Sequence, residues 1–322
     1  MIPLHLMIKT GNISLRSVLH AIRAFAARET VLVVAFAAAL VSCALVPPDA
    51  GYAAYVDWHT LALLFCLMAV VAGFRSLGVL DAVGAWLVAR ARTQRAVAGV
   101  LVGLAFFASM AVTNDVALIT FVPLALVVLR RAGMEGRMCL VATLMTIAAN
   151  LGSMFTPVGN PQNLYLFTAS GMSVGEFLQL MGPYTAASAA MLALACTLCF
   201  RGGEVSGADG VDTFAGFSSR SHKRLAVYGA LFACCLAAVL GVLDVRVLLA
   251  LVLVGVSLSD ASLLRRVDWG LLATFAALFV FVGNMGRVPV LHEALSAAVD
   301  GNALLATVGG SQVISNVPAA VL

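Results

Sequence analysis

Residues 109–121 read SMAVTNDVALITF and set Thr113, Asn114 and Asp115 side by side in one of the most apolar parts of the chain. A carboxamide and a carboxylate are costly in such surroundings unless they find partners or serve a function there. Two further stretches pair polar side chains with helix breakers. NLGSMFTPVGNPQN (150–163) holds Asn150, Asn160 and Asn163 among Gly152, Pro157, Gly159 and Pro161, which do not fit one continuous helix. GGSQVISNVPAA (309–320) holds Ser315 and Asn316 between Gly309-Gly310 and Pro318. Each break exposes unpaired amides and carbonyls, and helix ends add partial charges that suit an ion or an anion. Neutral Asn, Ser and Thr groups can hold a carboxylate or replace the water shell of a cation. This is binding chemistry, and no enzymatic activity is expected.

Asp115 admits two readings. An acid inside the membrane is a functional candidate, here for holding sodium or carrying a proton. It is also a residue type that caps helices by accepting from backbone amides. Asp57 and Asp268, each just before a Trp, fit capping beside an interfacial aromatic anchor. His59 and His292 fit interfacial positions, Arg287 an outer boundary, and Glu176 a favourable acid in a helix first turn.

The elements that must position these residues follow from composition. The chain is 62% hydrophobic and 11% charged, with a mean hydropathy of +1.04. A soluble domain is about half apolar and about a quarter charged. Apolar segments recur at 30–46, 58–74, 96–112, 116–129, 138–149, 163–169, 176–199, 225–243, 246–259, 270–284 and 302–313. The longer ones reach the ~17–25 residues that cross a bilayer as helix. Two shorter amphipathic stretches, 77–90 and 288–299, fit the interface. A transmembrane barrel needs ~10-residue strands of alternating polarity, and runs such as TLALLFCLMAVVAGF do not alternate. The expected fold is an all-α polytopic membrane protein.

The net charge of +4 sits at the ends of apolar segments, which indicates cytoplasmic loops and no nucleic-acid partner. The seven cysteines lie mostly within apolar segments, and Cys196-x-x-Cys199 in MLALACTLCF reads as helix packing. Residues 1–29 carry Lys9, Arg16, Arg23 and Arg28, too many charges for a secretory signal, and form a basic cytoplasmic lead-in. Residues 201–224, rich in Gly and Ser, form a cytoplasmic linker between a first repeat, 30–200, and a second, incomplete one, 225–322.

The two halves resemble each other. VDWHTLALLFCLMAVVAGF starts at Val56 and VDWGLLATFAALFVFVGNM at Val267; VTNDVA (112–117) is matched by ISNVPA (314–319). Basic residues place the first V-D-W outside and the second inside, so the repeat is inverted. Arg95 and Arg130-Arg131 flank residues 96–129 on one side, and a second arm of 14 residues is short for a crossing of ~20. A re-entrant hairpin with Thr113-Asn114-Asp115 at its tip accounts for both. Inverted repeats meeting at discontinuous helices are the architecture of secondary transporters.

These segments resemble the ion transporter superfamily, in particular its citrate transporter-like members. Those include divalent anion:sodium symporters, arsenite permeases and a group of sodium–proton antiporters. The symporters carry Ser-Asn-Thr at two opposed hairpin tips, where this chain has Thr113-Asn114-Asp115 and Ser315-Asn316-Val317. Their broken helix has a G-T-P-P-N-like turn, matched by Gly159-Asn160-Pro161-Gln162-Asn163. The resemblance covers residues 30–322. It implies two opposed re-entrant hairpins and broken helices, a substrate between the tips, sodium sites beside them, and elevator-type movement in a homodimer.

Thr113, Asn114, Asn163, Ser315 and Asn316 are thus candidate substrate ligands. Asp115, Asn150, Gly152, Gly159 and Asn160 are candidate ion-coupling positions. No cofactor is expected besides a sodium ion. Asp115 stands where the symporters have Thr, and an ionised Asp repels a nearby carboxylate, which favours the arsenite-permease and antiporter branches. The expected function is sodium- or proton-coupled transport of a small citrate- or dicarboxylate-like anion in the cell's inner membrane, with the N-terminus cytoplasmic. The alternatives are a sodium–proton antiporter or arsenite efflux permease, and a truncated membrane protein that does not transport. By the repeat, roughly 70–90 further residues are expected beyond Leu322.

Overall fold

The computed structural model describes residues 23, 27, 29–79, 90–200, 202–203, 219–288, 301–302 and 308–309, with side chains from 222 onward in the helix that begins at 219. The described residues are helical, with two 3-10 turns and connecting loops. In order they form α1 (Thr30–Leu45), α2 (Tyr52–Tyr55), α3 (Trp58–Ser76), α4 (Gln94–Val112), α5 (Asn114–Arg131), α6 (Met138–Ser153), α7 (Pro161–Ser170), α8 (Val174–Cys199), α9 (Ser219–Val239), α10 (Val245–Asp260) and α11 (Trp269–Met285). Five of them, α3, α4, α8, α9 and α10, are long and apolar enough to cross a membrane; α1 and α11 are shorter apolar helices. The all-α polytopic expectation stands.

Local chemistry sets most boundaries. α1 ends before Pro47, whose ring forces Val46 into an extended conformation (φ −125°, ψ 100°). Asp268 caps α11 by accepting from the Leu271 amide at 2.8 Å, as expected for an acid ahead of Trp269. Ser173 and Glu176 form a reciprocal capping box that starts α8. Gly171 adopts the left-handed conformation (φ 65°) that ends α7. Trp58 and Trp269 are exposed at helix starts, and the free Cys196 is buried in the helix packing.

Several helix ends lie one to four residues from those expected, and two helix starts bear on the reading. α9 begins at Ser219, inside the stretch expected as linker, because the SRSHKR run carries no helix breaker. α5 begins at Asn114, not 116, and has 18 residues. Its rise is about 27 Å at ~1.5 Å per residue, close to a hydrocarbon core of ~30 Å. The shortness of this arm is therefore no argument for re-entrance: Asn114 and Asp115 join the first turn, leaving Thr113 alone between α4 and α5.

The chain packs as two compact units, residues 1–57 with 268–322, and residues 58–267. In the first, α11 lies against α1 and α2. Asn284, fully buried, donates through Nδ2 to the Ser42 hydroxyl at 2.9 Å and the Tyr52 hydroxyl at 2.8 Å. In the second, α4 packs on α5, α6 and α8, and α3 packs on α9 and α10. The core of the α4–α6 group is apolar, with Leu101, Phe121, Leu129 and Met145 buried. Tyr228 of α9 lies where Gly73 of α3 leaves room; a Cβ there would sit 2.8 Å from the ring.

The tip expected at Ser315-Asn316-Val317, His292, most of the 201–224 linker and the stretches 1–22 and 310–322 lie outside the described residues.

Candidate functional site

Thr113 is the focus of the larger unit. With φ 74° and ψ 150°, it is the one non-glycine residue with positive φ among those described. That region is nearly glycine-only, and a β-branched residue held there costs ~1–3 kcal/mol. The surrounding contacts over-determine it. The Thr113 carbonyl accepts from the Ala117 amide at 3.0 Å, opening α5, while the Asn114 amide donates to the Gly159 carbonyl at 3.2 Å. Thr156 Oγ1 donates to the carbonyl of Met110, near the end of α4. Strain of this kind points to function.

The Gly159 partner belongs to the loop 154–160, which separates α6 from α7 as the glycines and prolines predicted. Two tight turns shape it, with the Phe155 amide on the Gly152 carbonyl and the Gly159 amide on the Thr156 carbonyl. Both glycines are sterically required. A Cβ on Gly152 would collide with the Phe106 carbonyl, and one on Gly159 with the Ser153 carbonyl.

The polar side chains divide into two groups. Asn114 Nδ2 donates to Asn150 Oδ1 at 3.1 Å, and Asn150 Nδ2 donates to the Thr146 carbonyl at 2.9 Å. Among the described residues Asn114 Oδ1 is buried without a hydrogen-bond partner, an unusual state for a buried acceptor. Asn160 and Asn163 hold the loop itself. Asn160 Oδ1 caps α7 by accepting from the Asn163 amide at 2.8 Å, and its Nδ2 donates to Ser153 Oγ at 3.0 Å. Asn163 Nδ2 reaches the carbonyls of Ser153, Met154 and Thr156 at 3.0–3.2 Å, satisfying the open end of α6.

Asp115 is the second residue of α5, exposed in its first turn. The N-cap position belongs to Thr113, and an acid in the first turn after it is favoured by the helix dipole. The N-termini of α5 and α7 and the C-terminus of α6 all border the loop, giving partial charges of both signs. Among the described residues no group of three or more His, Cys, Asp or Glu could hold a metal ion. Ser315 and Asn316 lie outside the described residues.

Ser153 and Thr156, and the Asp49 and Tyr55 partners of Arg287, carry no clear signal in the sequence. Ser153 and Thr156 stitch the loop, and their only signal is a position next to the breakers. In the smaller unit, Arg287 Nη1 lies 2.8 Å from both Asp49 Oδ2 and the Tyr55 hydroxyl, so it does more than mark a boundary. The Arg287 hydrogen bond, seconded by the Gly51 amide, holds the Asp49 carboxyl below the usual carboxylate range. Gly283 leaves the room that the Tyr55 ring fills.

The citrate transporter family profile matches residues 18–322. The chain is 32% identical over 278 residues to the inner membrane protein YbiR of Escherichia coli, covering 84% of this chain and 72% of that one. It is 30% identical over 270 residues to the uncharacterized transporter MJ0456 of Methanocaldococcus jannaschii, covering 83% and 71%. The uncharacterized transporter Rv2685 of Mycobacterium tuberculosis is 30% identical over 293 residues, covering 83% and 67%. With apolar helices fit to cross a bilayer and a family match over nearly its whole length, the chain belongs to the citrate transporter family of membrane transporters.

Proposed function

We propose that the protein is a secondary active transporter of a small carboxylate-type anion, coupled to sodium or protons, with its site where Thr113 and Asn114 meet the 154–160 loop. The observation that carries this reading is the strained Thr113, followed by an Asn114 whose buried Oδ1 lacks a partner among the described residues. A coupling cation or a donor hydroxyl of the ligand suits this acceptor, while the carboxylate of the anion suits the helix N-termini beside it. Asn150, Gly152 and Gly159 then position Asn114 and the loop, and Asn160 and Asn163 keep the loop rigid.

The finer architecture belongs to this proposal. In it residues 94–131 act as a re-entrant hairpin whose long arms tilt, and the protein works as a homodimer. The basic residues at both ends, Arg95 and Arg130-Arg131, support placing these ends on one side, the cytoplasmic one. The exposed Asp115 beside the tip favours a second reading, a sodium–proton antiporter or arsenite exporter, in which the carboxylate carries the coupling cation or proton.

The test is reconstitution in proteoliposomes. Labelled citrate or succinate should accumulate under an inward sodium or proton gradient, and Asn114→Ala should abolish uptake while the protein still inserts. Sodium flux driven by a pH gradient, with no anion uptake, would replace the first reading by the second.

A further inference from the structure

A groove of about 440 Å³ runs between α4 and α8 on the larger unit. One wall carries Arg95, Gly99 and Gly103, the other Ala189, Ala193 and Thr197, each set at four-residue spacing along one helix face. Small residues at this spacing usually let two helices touch. Here they do the opposite: a Cβ added at Gly99 or Gly103 would meet nothing within 4 Å. The space is left open, and its volume lies within the ~300–1,000 Å³ range of ligand pockets.

The two ends differ. Phe107, largely exposed, lines the groove twelve residues from Arg95, a run of about 18 Å along the helix. That is near the hydrocarbon depth of one leaflet, half of a ~30 Å core. At the other end Arg95 Nε donates to the Phe200 carbonyl at 3.2 Å. This bond orients the guanidinium at the end of the groove. An apolar channel one leaflet long, ended by an oriented cation, has the shape and charge of a bound lipid.

We propose that this groove holds one acyl chain of an anionic phospholipid, with the lipid phosphate on Arg95. The guanidinium fork suits phosphate oxygens, and the glycines and alanines make the space that the chain fills. The proposal stands apart from the transport reading, because its test reads lipid retention and needs neither substrate nor gradient.

Native mass spectrometry of the purified chain with added palmitoyl-oleoyl phosphatidylglycerol or phosphatidylcholine tests it. The wild type should retain phosphatidylglycerol in preference to phosphatidylcholine. Arg95→Gln should lower phosphatidylglycerol retention about fivefold, the change expected for one basic residue near an anionic headgroup, and leave phosphatidylcholine unchanged. Arg95→Lys keeps the charge and should retain most of the preference. Ala193→Leu fills the groove without altering Arg95 and should abolish retention of both, which keeps the test valid if the Arg95 variants fail to fold. Equal retention of the two lipids by the wild type, or unchanged phosphatidylglycerol binding by Ala193→Leu, would overturn the proposal. So would equally effective competition by inorganic phosphate, or a disulfide-linked dimer of Gly103→Cys in membranes, which would place a second copy in the groove.

Discussion

The backbone amide of Asn114 donates to the carbonyl of Gly159 at 3.2 Å, tying the start of α5 to the loop after α6. The bond requires a glycine, because any Cβ at 159 would collide with the Ser153 carbonyl. Gly159→Ala should therefore displace the loop, destabilise the protein by about 2–3 kcal/mol as overpacking does, and abolish transport. Thermal unfolding and proteoliposome uptake check this together. Wild-type values in both would show that the junction tolerates movement.

Thr113 offers the converse experiment. Thr113→Gly relieves a conformation costing ~1–3 kcal/mol against the ~0.4–1 kcal/mol of added unfolded-state entropy that glycine brings. The variant should be more stable by about 1 kcal/mol and transport more slowly, because a free tip no longer holds Asn114 in register. Greater stability with unimpaired transport would leave the strain without a function.

Asp115→Asn separates helix stabilisation from coupling. At the second position of α5, loss of the charge removes a dipole interaction of ~0.3–1 kcal/mol at most, so insertion and folding should be near normal. If the carboxylate holds the coupling cation or proton, transport loses its sodium or pH dependence. Transport by the Asn variant that responds normally to the gradient would refute coupling through Asp115.

Asn284 and Arg287 stand three residues apart and should behave differently. Asn284 is fully buried with Nδ2 on Ser42 and Tyr52, so Asn284→Ala strands two hydroxyls and should cost about 2 kcal/mol. The Arg287–Asp49 pair is nearly half exposed on both sides (46% and 45%), and exposed pairs contribute little. A larger fall in unfolding temperature for Arg287→Gln than for Asn284→Ala would reverse this ranking.

The same ion pair sets a pH dependence. Arg287 lowers the Asp49 carboxyl below its ordinary value of 3.8. A depressed carboxylate stabilises the fold above 3.8, and that contribution is lost as pH falls through the lowered folded-state value. The gap in unfolding temperature between wild type and Asp49→Asn should hold at neutral pH, shrink below pH 3.8 and then vanish. A gap that persists in acid would assign the effect of Asp49 to something other than its charge.

The sequence by itself determined the helices, the break between 150 and 163, and the acids that start α8 and α11. These depend on neighbours within one or two turns: Pro47 extends Val46, Glu176 answers Ser173, and Gly159 with Pro161 interrupts an apolar run. Tertiary structure decided which polar groups meet. Asn114, Asn150, Asn160 and Asn163 are the same residue type in similar apolar company. Yet the first two pair at the tip, while the others hold the end of α6 closed. The positive φ of Thr113 is equally invisible locally, since it is imposed by Gly159, 46 positions away. Asn284 finds Ser42 across 242 residues for the same reason. Apolar helices of similar composition do not specify their neighbours, and a buried amide takes its partners from whichever helix the packing brings to it.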